Sequence, residues 1–239
     1  MRKKALLILK YSLLIAVVVF VYSFSNHRNS KRSLHRIDID FQDESTALIT
    51  RSMVNKLLIQ NKDSIQYVDK EILDLNELEG RLNQHPMIQD ANVYLSVDGV
   101  LGARIQQRRP IARVASSPSF YIDQLGTKMP LSNVHTLRVP LVTGVTDNNM
   151  ESVTMVLNHL IKDPFMLKHV VGIDIQRDQS MILLVRSYDF RILLGKPQNL
   201  NRKFQNFKAF YQKTLKDKTL ENYSLINLQV NGQVVATKK

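Results

Sequence analysis

The sequence predicts an α+β protein: a single N-terminal transmembrane helix, a β-α-α-β-β domain, and then a mostly antiparallel β domain with two helices. Three observations predict it. An apolar run near the N-terminus has the length of a membrane span, period-2 segments bracket two helical-period runs between residues 37 and 107, and alternating segments dominate beyond residue 110. The divisions expected are a short tail at 1–4, the span at 5–24, a linker at 25–36, a first domain at 37–109 and a second at 110–237.

The span is read from ALLILKYSLLIAVVVFVYSF, residues 5–24. Twenty residues at a helical rise of about 1.5 Å cover roughly 30 Å, the hydrocarbon thickness of a bilayer. Lys10, its one charge, lies near one end, where a long side chain reaches the interface. A cleaved signal peptide is the competing reading, since the uninterrupted apolar run is residues 11–24 and Ser23-Phe24-Ser25 roughly resembles a cleavage site. The anchor is preferred because Ser-Phe-Ser is a poor small-residue site. Basic residues flank the span on both sides, so charge alone does not orient it.

After a polar, basic linker, RIDIDF (36–41) alternates as a strand. Thr50 is placed to cap a helix carrying Met53, Val54, Leu57 and Leu58, and Asp74 with Glu77 resembles a capping box for a second, which ends at His85-Pro86. Ala91, Val93, Leu95 and Val97 then alternate, Asp98-Gly99 turns, and Leu101, Ala103 and Ile105 alternate again as a hairpin. In the second domain, YIDQLG (121–126) and VPLVTG (139–144) read as short strands entering turns. Residues 153–161 form a helix ending at Asp163-Pro164, 172–196 hold about three strands, and Leu200, Phe204, Phe207, Phe210, Tyr211 and Leu215 mark the second helix.

Composition limits function. The chain has 239 residues, 44% hydrophobic content and no cysteine, which leaves room for a core and excludes disulfides and thiolate chemistry. Of the net charge of +12, residues 1–36 carry +8 and the remainder only +4, so the charge flanks a greasy segment and points to membrane lipid, not to nucleic acid. Six histidines are scattered without metal-ligand spacing, and no GxSxG, Walker or GxGxxG motif occurs, so no catalytic residue, cofactor or metal site is expected. The aromatic stripe at 204–211 reads as core, with the lysines among it on the solvated side.

The chain closes with LINLQVNGQVVATKK (225–239), in which Ile226, Leu228 and Val230 alternate with Asn227 and Gln229 before the turn pair Asn231-Gly232. A terminal sheet edge is either blunted or offered to a partner. If offered, the backbone of Leu225, Ile226, Asn227, Leu228, Gln229 and Val230 pairs with an incoming strand, with Tyr223, Ser224 and Leu228 beside it. If the turn folds the chain back, Gln233, Val234, Val235 and Ala236 become the outer edge and the docking strand. The two alternatives stand level.

Five stretches, in order, resemble one family. HPMIQDANV (85–93) is similar to an entry into the first hairpin of the form P-x-V-x-x-A-x-V, QRRPIA (107–112) to its E-R-x-P-x-A exit, and YIDQLG, VPLVTG and LINLQVNGQVVA to three later motifs. The family is the bacterial cell-division family FtsQ, or DivIB, whose first module is a POTRA domain. Gln107 stands where the family has glutamate, and Asn227 and Gln229 where it has aspartate and arginine.

The resemblance implies a POTRA-like first domain, a cytoplasmic tail and type II topology in the cytoplasmic (inner) membrane, with the bulk outside at the division septum. It implies no enzymatic activity. It further implies FtsB- and FtsL-like single-span coiled-coil partners taken at the C-terminal sheet edge, with FtsK, FtsW and FtsI-like proteins nearby, and control of septal peptidoglycan synthesis. Arg108, Arg109 and Pro110 become the hinge between its domains. The alternative function is a POTRA-type assembly or secretion factor for outer-membrane polypeptides, which usually carries several modules and a barrel.

Overall fold

The structure is a computed structural model that describes residues 2–30, 34, 36–43, 47–59 and 73–239, with side chains in the first helix from residue 9 to residue 25. Met1 of the expected tail and residues 31–33 and 35 of the expected linker lie outside the described residues. The chain divides into two units, one ending at Gln107 and one running from Arg108 to Lys239.

The expected membrane span is corrected. Helix α1 (Arg2–Ser30) overruns both ends of residues 5–24 and continues into the segment read as a linker. Yet among the described residues no helix is long and apolar enough to cross a membrane.

The rest of the first unit follows its periodicities. β1 (Arg36–Phe41) pairs parallel with β3 (Val100–Gln107), and β2 (Ile88–Leu95) pairs antiparallel with β3, giving the order β1-β3-β2. Between them, α2 (Arg51–Leu58) starts where the Thr50 hydroxyl accepts the Met53 N–H at 3.1 Å. α3 (Leu75–Asn83) starts where the Asp74 carboxylate accepts the N–H groups of Asn76 and Glu77 at 2.9 and 3.1 Å. The Glu77 side chain does not return to the cap as a capping box requires; it pairs with Arg81 at 2.6 Å. Val54, Leu58, Leu78 and Leu82 are buried, as are Ile39, Phe41, Ala91, Val93, Ala103 and Ile105 of the sheet. On β2 and β3 the alternate positions face away, and Tyr94 lies over Gly102, where any Cβ would come within 2.2 Å of its ring.

The second unit is a nine-stranded sheet. β4 (Pro110–Val114), β5 (Phe120–Asp123) and β6 (Lys128–Met129) form one end, β7 (Leu141–Thr143) and β8 (Val170–Ile175) the middle, and β9 (Met181–Val185), β10 (Arg191–Gly195), β11 (Tyr223–Asn227) and β12 (Val235–Lys238) the other end. The order is β12-β11-β10-β9-β8-β7-β4-β5-β6. Antiparallel pairs predominate, but β4–β7, β7–β8 and β10–β11 are parallel. Parallel neighbours need crossovers, which helices supply. α4 (Met150–Lys162) and α5 (Pro164–His169) join β7 to β8, and α6 (Leu200–Lys216) joins β10 to β11. α4 ends at Asp163-Pro164 as expected, and Pro164 also opens α5 at the first helical position, with Asp163 capping Phe165 and Met166. The unit therefore has three α-helices where two were expected.

One core joins sheet and helices, including Val156 and Leu160 of α4, Phe204, Phe207 and Tyr211 of α6, and Ile173, Leu183, Ile192 and Ile226 of the sheet. Burial first, then a hydrogen bond with Tyr188, pushes the Tyr211 phenol up to about 12. Asp123 accepts from Leu125 and Thr127 N–H at 2.9 and 2.8 Å and pairs with Arg108 at 2.9 Å, which holds the turn after β5.

Two outcomes are expected. In the first unit the Gln107 side-chain oxygen accepts the buried N–H groups of Leu48 and Ile49 at 2.8 and 3.2 Å, so Gln107→Ala removes that acceptor from both. Urea unfolding should show a loss of about 2–4 kcal/mol, largely restored by Gln107→Glu, which keeps the acceptor. In the second unit, a raised phenol contributes stability that is whole below the unfolded value near 10 and is lost as pH rises towards 12. Ultraviolet titration should show one late tyrosine that disappears in Tyr211→Phe.

Candidate functional site

The C-terminal hairpin is built by the crossover before it. Gly195 ends β10 at φ +72, and Lys203 of α6 donates to the carbonyls of Leu194 and Lys196 at 2.7 and 2.9 Å, closing the reversal into the helix. Burial lowers the Lys203 pKa below its usual value. α6 turns its aromatic side inward, and Phe210 meets Tyr223 edge-on at 5.2 Å between ring centroids, at the start of β11. β11 then runs parallel to β10, with Arg191, Ile192 and Leu193 opposite Leu225, Ile226 and Asn227.

The chain does fold back. Gly232 sits at φ +77, Gln233 N–H donates to the Val230 carbonyl at 3.3 Å, and Arg202 donates to the Asn231 side chain at 3.3 Å. β12 pairs antiparallel with β11, Ala236 opposite Ile226 and Val235 opposite Asn227. The connection, residues 228–234, is longer than a two-residue turn because Leu228 N–H still bonds the Leu193 carbonyl at 2.9 Å.

The sequence-derived docking residues therefore separate. Tyr223, Ser224, Leu225, Ile226 and Asn227 lie in β11 between two strands, and the side chains of Ile226 and Leu228 are buried in the unit's own core. Gln229, Val230 and Gln233 are exposed in the connection, and Val234 packs against the core. Val235 and Ala236 are in the edge strand, which continues through Thr237 and Lys238. Those last two were not among the expected docking residues, and V-A-T-K, two apolar residues followed by two polar ones, carries no period-2 signal for them. Ser224 Oγ donates to the carbonyls of Thr237 and Lys238 at 3.3 Å each, holding the end of β12. Of the expected hinge residues, Arg108 is held by Asp123 and Pro110 is the first residue of β4, opposite Asp123.

The sheet face away from the helices carries one register row across seven strands: Arg113, Leu141, Gly172, Leu184, Arg191, Leu225 and Thr237. Leu141 and Leu184 are partly exposed, as is Val235 in the neighbouring row. Charge is unevenly divided: residues 37–107 carry −6 and residues 108–239 carry +10. Among the described residues no group of three or more His, Asp or Glu side chains is placed to hold a metal.

Residues 109–237, more than half of the chain, match the sequence model described as "FtsQ/DivIB, C-terminal related". The chain belongs to the FtsQ/DivIB family. A curated relative, "Cell division protein FtsQ" of Salinibacter ruber (strain DSM 13855 / M31), is 27% identical over 173 residues, which are 65% of this chain and 66% of that one. The match thus spans a little under two thirds of the relative. The region matched to the FtsQ/DivIB model takes in β4 to β12 almost whole, so the hairpin belongs to the family's domain.

The turn is the hairpin's weakest point. In Gly232→Val a β-branched side chain would sit at positive φ, and even a Cβ there lies 2.8 Å from Arg202 Nη2. The strain of about 1–3 kcal/mol should speed amide exchange in β12 roughly 5- to 150-fold, with β9 and β10 unchanged.

Proposed function

We propose that this protein is a non-enzymatic scaffold of bacterial cell division that acts at the division site and takes an extended segment of a partner protein as an added strand on β12. The partners of this reading are FtsB- and FtsL-like single-span coiled-coil proteins, and through them the scaffold helps recruit and regulate septal peptidoglycan synthesis. Family membership and the printed name of the Salinibacter ruber relative support the cell-division role. The observation that carries the docking role is the position of β12: it is the last strand of a nine-stranded sheet, four residues long, with Val235 and Thr237 exposed.

Strand addition draws its affinity from main-chain hydrogen bonds, and side chains at alternate positions set its selectivity. On β12 those positions are Val235 and Thr237 on the open face, beside Leu225 and Arg191. A partner segment with alternating apolar side chains extends that row. Lys238 and Lys239 favour acidic residues at the segment's adjoining end.

Successive residues of a strand aim their N–H groups to opposite sides, so of Val235→Pro and Ala236→Pro one removes a hairpin donor and the other a donor on the free edge. Hydrogen exchange identifies the edge variant as the one whose β11 amides stay protected. Captured from its own cells as the tagged full-length chain, that variant should recover small coiled-coil division proteins at least about tenfold less than wild type. Undiminished capture would remove β12 as the docking strand. Recovery of outer-membrane polypeptides in place of division proteins would overturn the cell-division role.

A further inference from the structure

The first unit also ends in an edge strand, and its side chains treat that edge differently. β2 is the outer strand of the order β1-β3-β2. Asn83, the last residue of α3, accepts the Ala91 N–H on its side-chain oxygen at 2.8 Å, and its side-chain nitrogen donates to the Ala91 carbonyl at 3.5 Å. One turn earlier, Glu79 accepts the Val93 N–H at 3.0 Å. Ala91 and Val93 are two β2 residues whose N–H groups turn away from β3, as the alternation of the antiparallel ladder requires.

The spacing explains why one helix can do this. Residues four apart on a helix are separated by about 6 Å along its axis, and residues two apart on a strand by about 6.6–6.8 Å. Glu79 and Asn83 therefore meet Val93 and Ala91 in step, with α3 running antiparallel to β2. Asn83 offers one residue both an acceptor and a donor, as a residue of a neighbouring antiparallel strand does.

We infer that Asn83 and Glu79 are specificity-determining residues for strand docking: they occupy the β2 edge as a strand would, and so leave β12 as the edge open to an incoming segment. The other edges are guarded by other means. β1 carries exposed Arg36, Asp38 and Asp40, and β6 is two residues long. No such cover lies over Val235, Ala236 or Thr237 among the described residues. The direction of partners towards β12 rests on the function proposed above, whereas the closure of β2 stands apart from it.

The test compares the full-length wild type with Glu79→Ala/Asn83→Ala and Glu79→Gln, by residue-resolved hydrogen exchange and sedimentation velocity. In the double variant the Ala91 and Val93 amides should exchange at least about tenfold faster, and self-association through the uncovered edge should strengthen by about tenfold or more. Glu79→Gln keeps the acceptor and should keep Val93 protected. Unchanged exchange at both amides overturns the closure. Faster exchange without stronger self-association overturns the specificity role. If the double variant does not fold, Glu79→Ala alone puts the same question to Val93. A failure of β12 docking shows separately, in capture by the proline variants, and does not alter exchange at Ala91 and Val93.

Discussion

The C-terminal end of the molecule depends on the parallel pairing of β10 with β11. Parallel neighbours cannot be joined by a tight turn, so the chain must leave the sheet, cross it and return. α6 makes that crossing, and its cost is met by burying Leu200, Phe204, Phe207 and Tyr211 in the same core that receives Ile192 and Ile226. Register follows from burial. A slip of one residue in β11 would turn Ile226 and Leu228 to solvent and bring Leu225 and Asn227 into the core. β12 takes its own register from β11, so the identity of the edge strand is set by contacts made well inside the unit.

The molecule handles its strand edges unequally, and the chemistry of each is local. Exposed charge lies along β1, side chains from α3 cover β2, and β6 is short. β12 has a turn held by Arg202 and a terminus tied back where Lys239 N–H meets the Asn222 carbonyl at 2.8 Å. The hairpin is thus secured at both ends while its outer side stays uncovered. An edge strand that is held in place can accept another strand without first ordering itself, which lowers the entropic cost of docking.

Summed over residues 37–239 the charge is a bland +4, but residues 37–107 and residues 108–239 carry opposite signs, and the sum concealed it. Part of the second unit's basic charge is engaged: Arg108 with Asp123, Lys208 with Asp163, Lys128 with Asp147, and Lys203 on two carbonyls. Arg191 remains exposed on the open sheet face beside Leu184 and Leu225.

By itself the sequence determined the parts whose causes are local. Thr50 and Asp74 cap helices because a side-chain oxygen reaches an N–H two or three residues on, and Asp98-Gly99 turns because glycine tolerates positive φ. Alternation placed β1, β2, β3 and β8 to β11, and the family motifs lay in order along one chain. Tertiary structure alone decided the rest. That Pro164 opens a further helix, besides following the end of α4, depends on Asp163 being placed to cap it, and whether residues 225–230 form an edge depends on whether the next segment finds a place beside them. Asn83 and Glu79 had no signature at all, since a strand edge is recognised as covered only when helix and strand lie side by side. Hydrogen bonds between residues 8 or 14 apart are a property of packing, and periodicity within one segment carries no record of them.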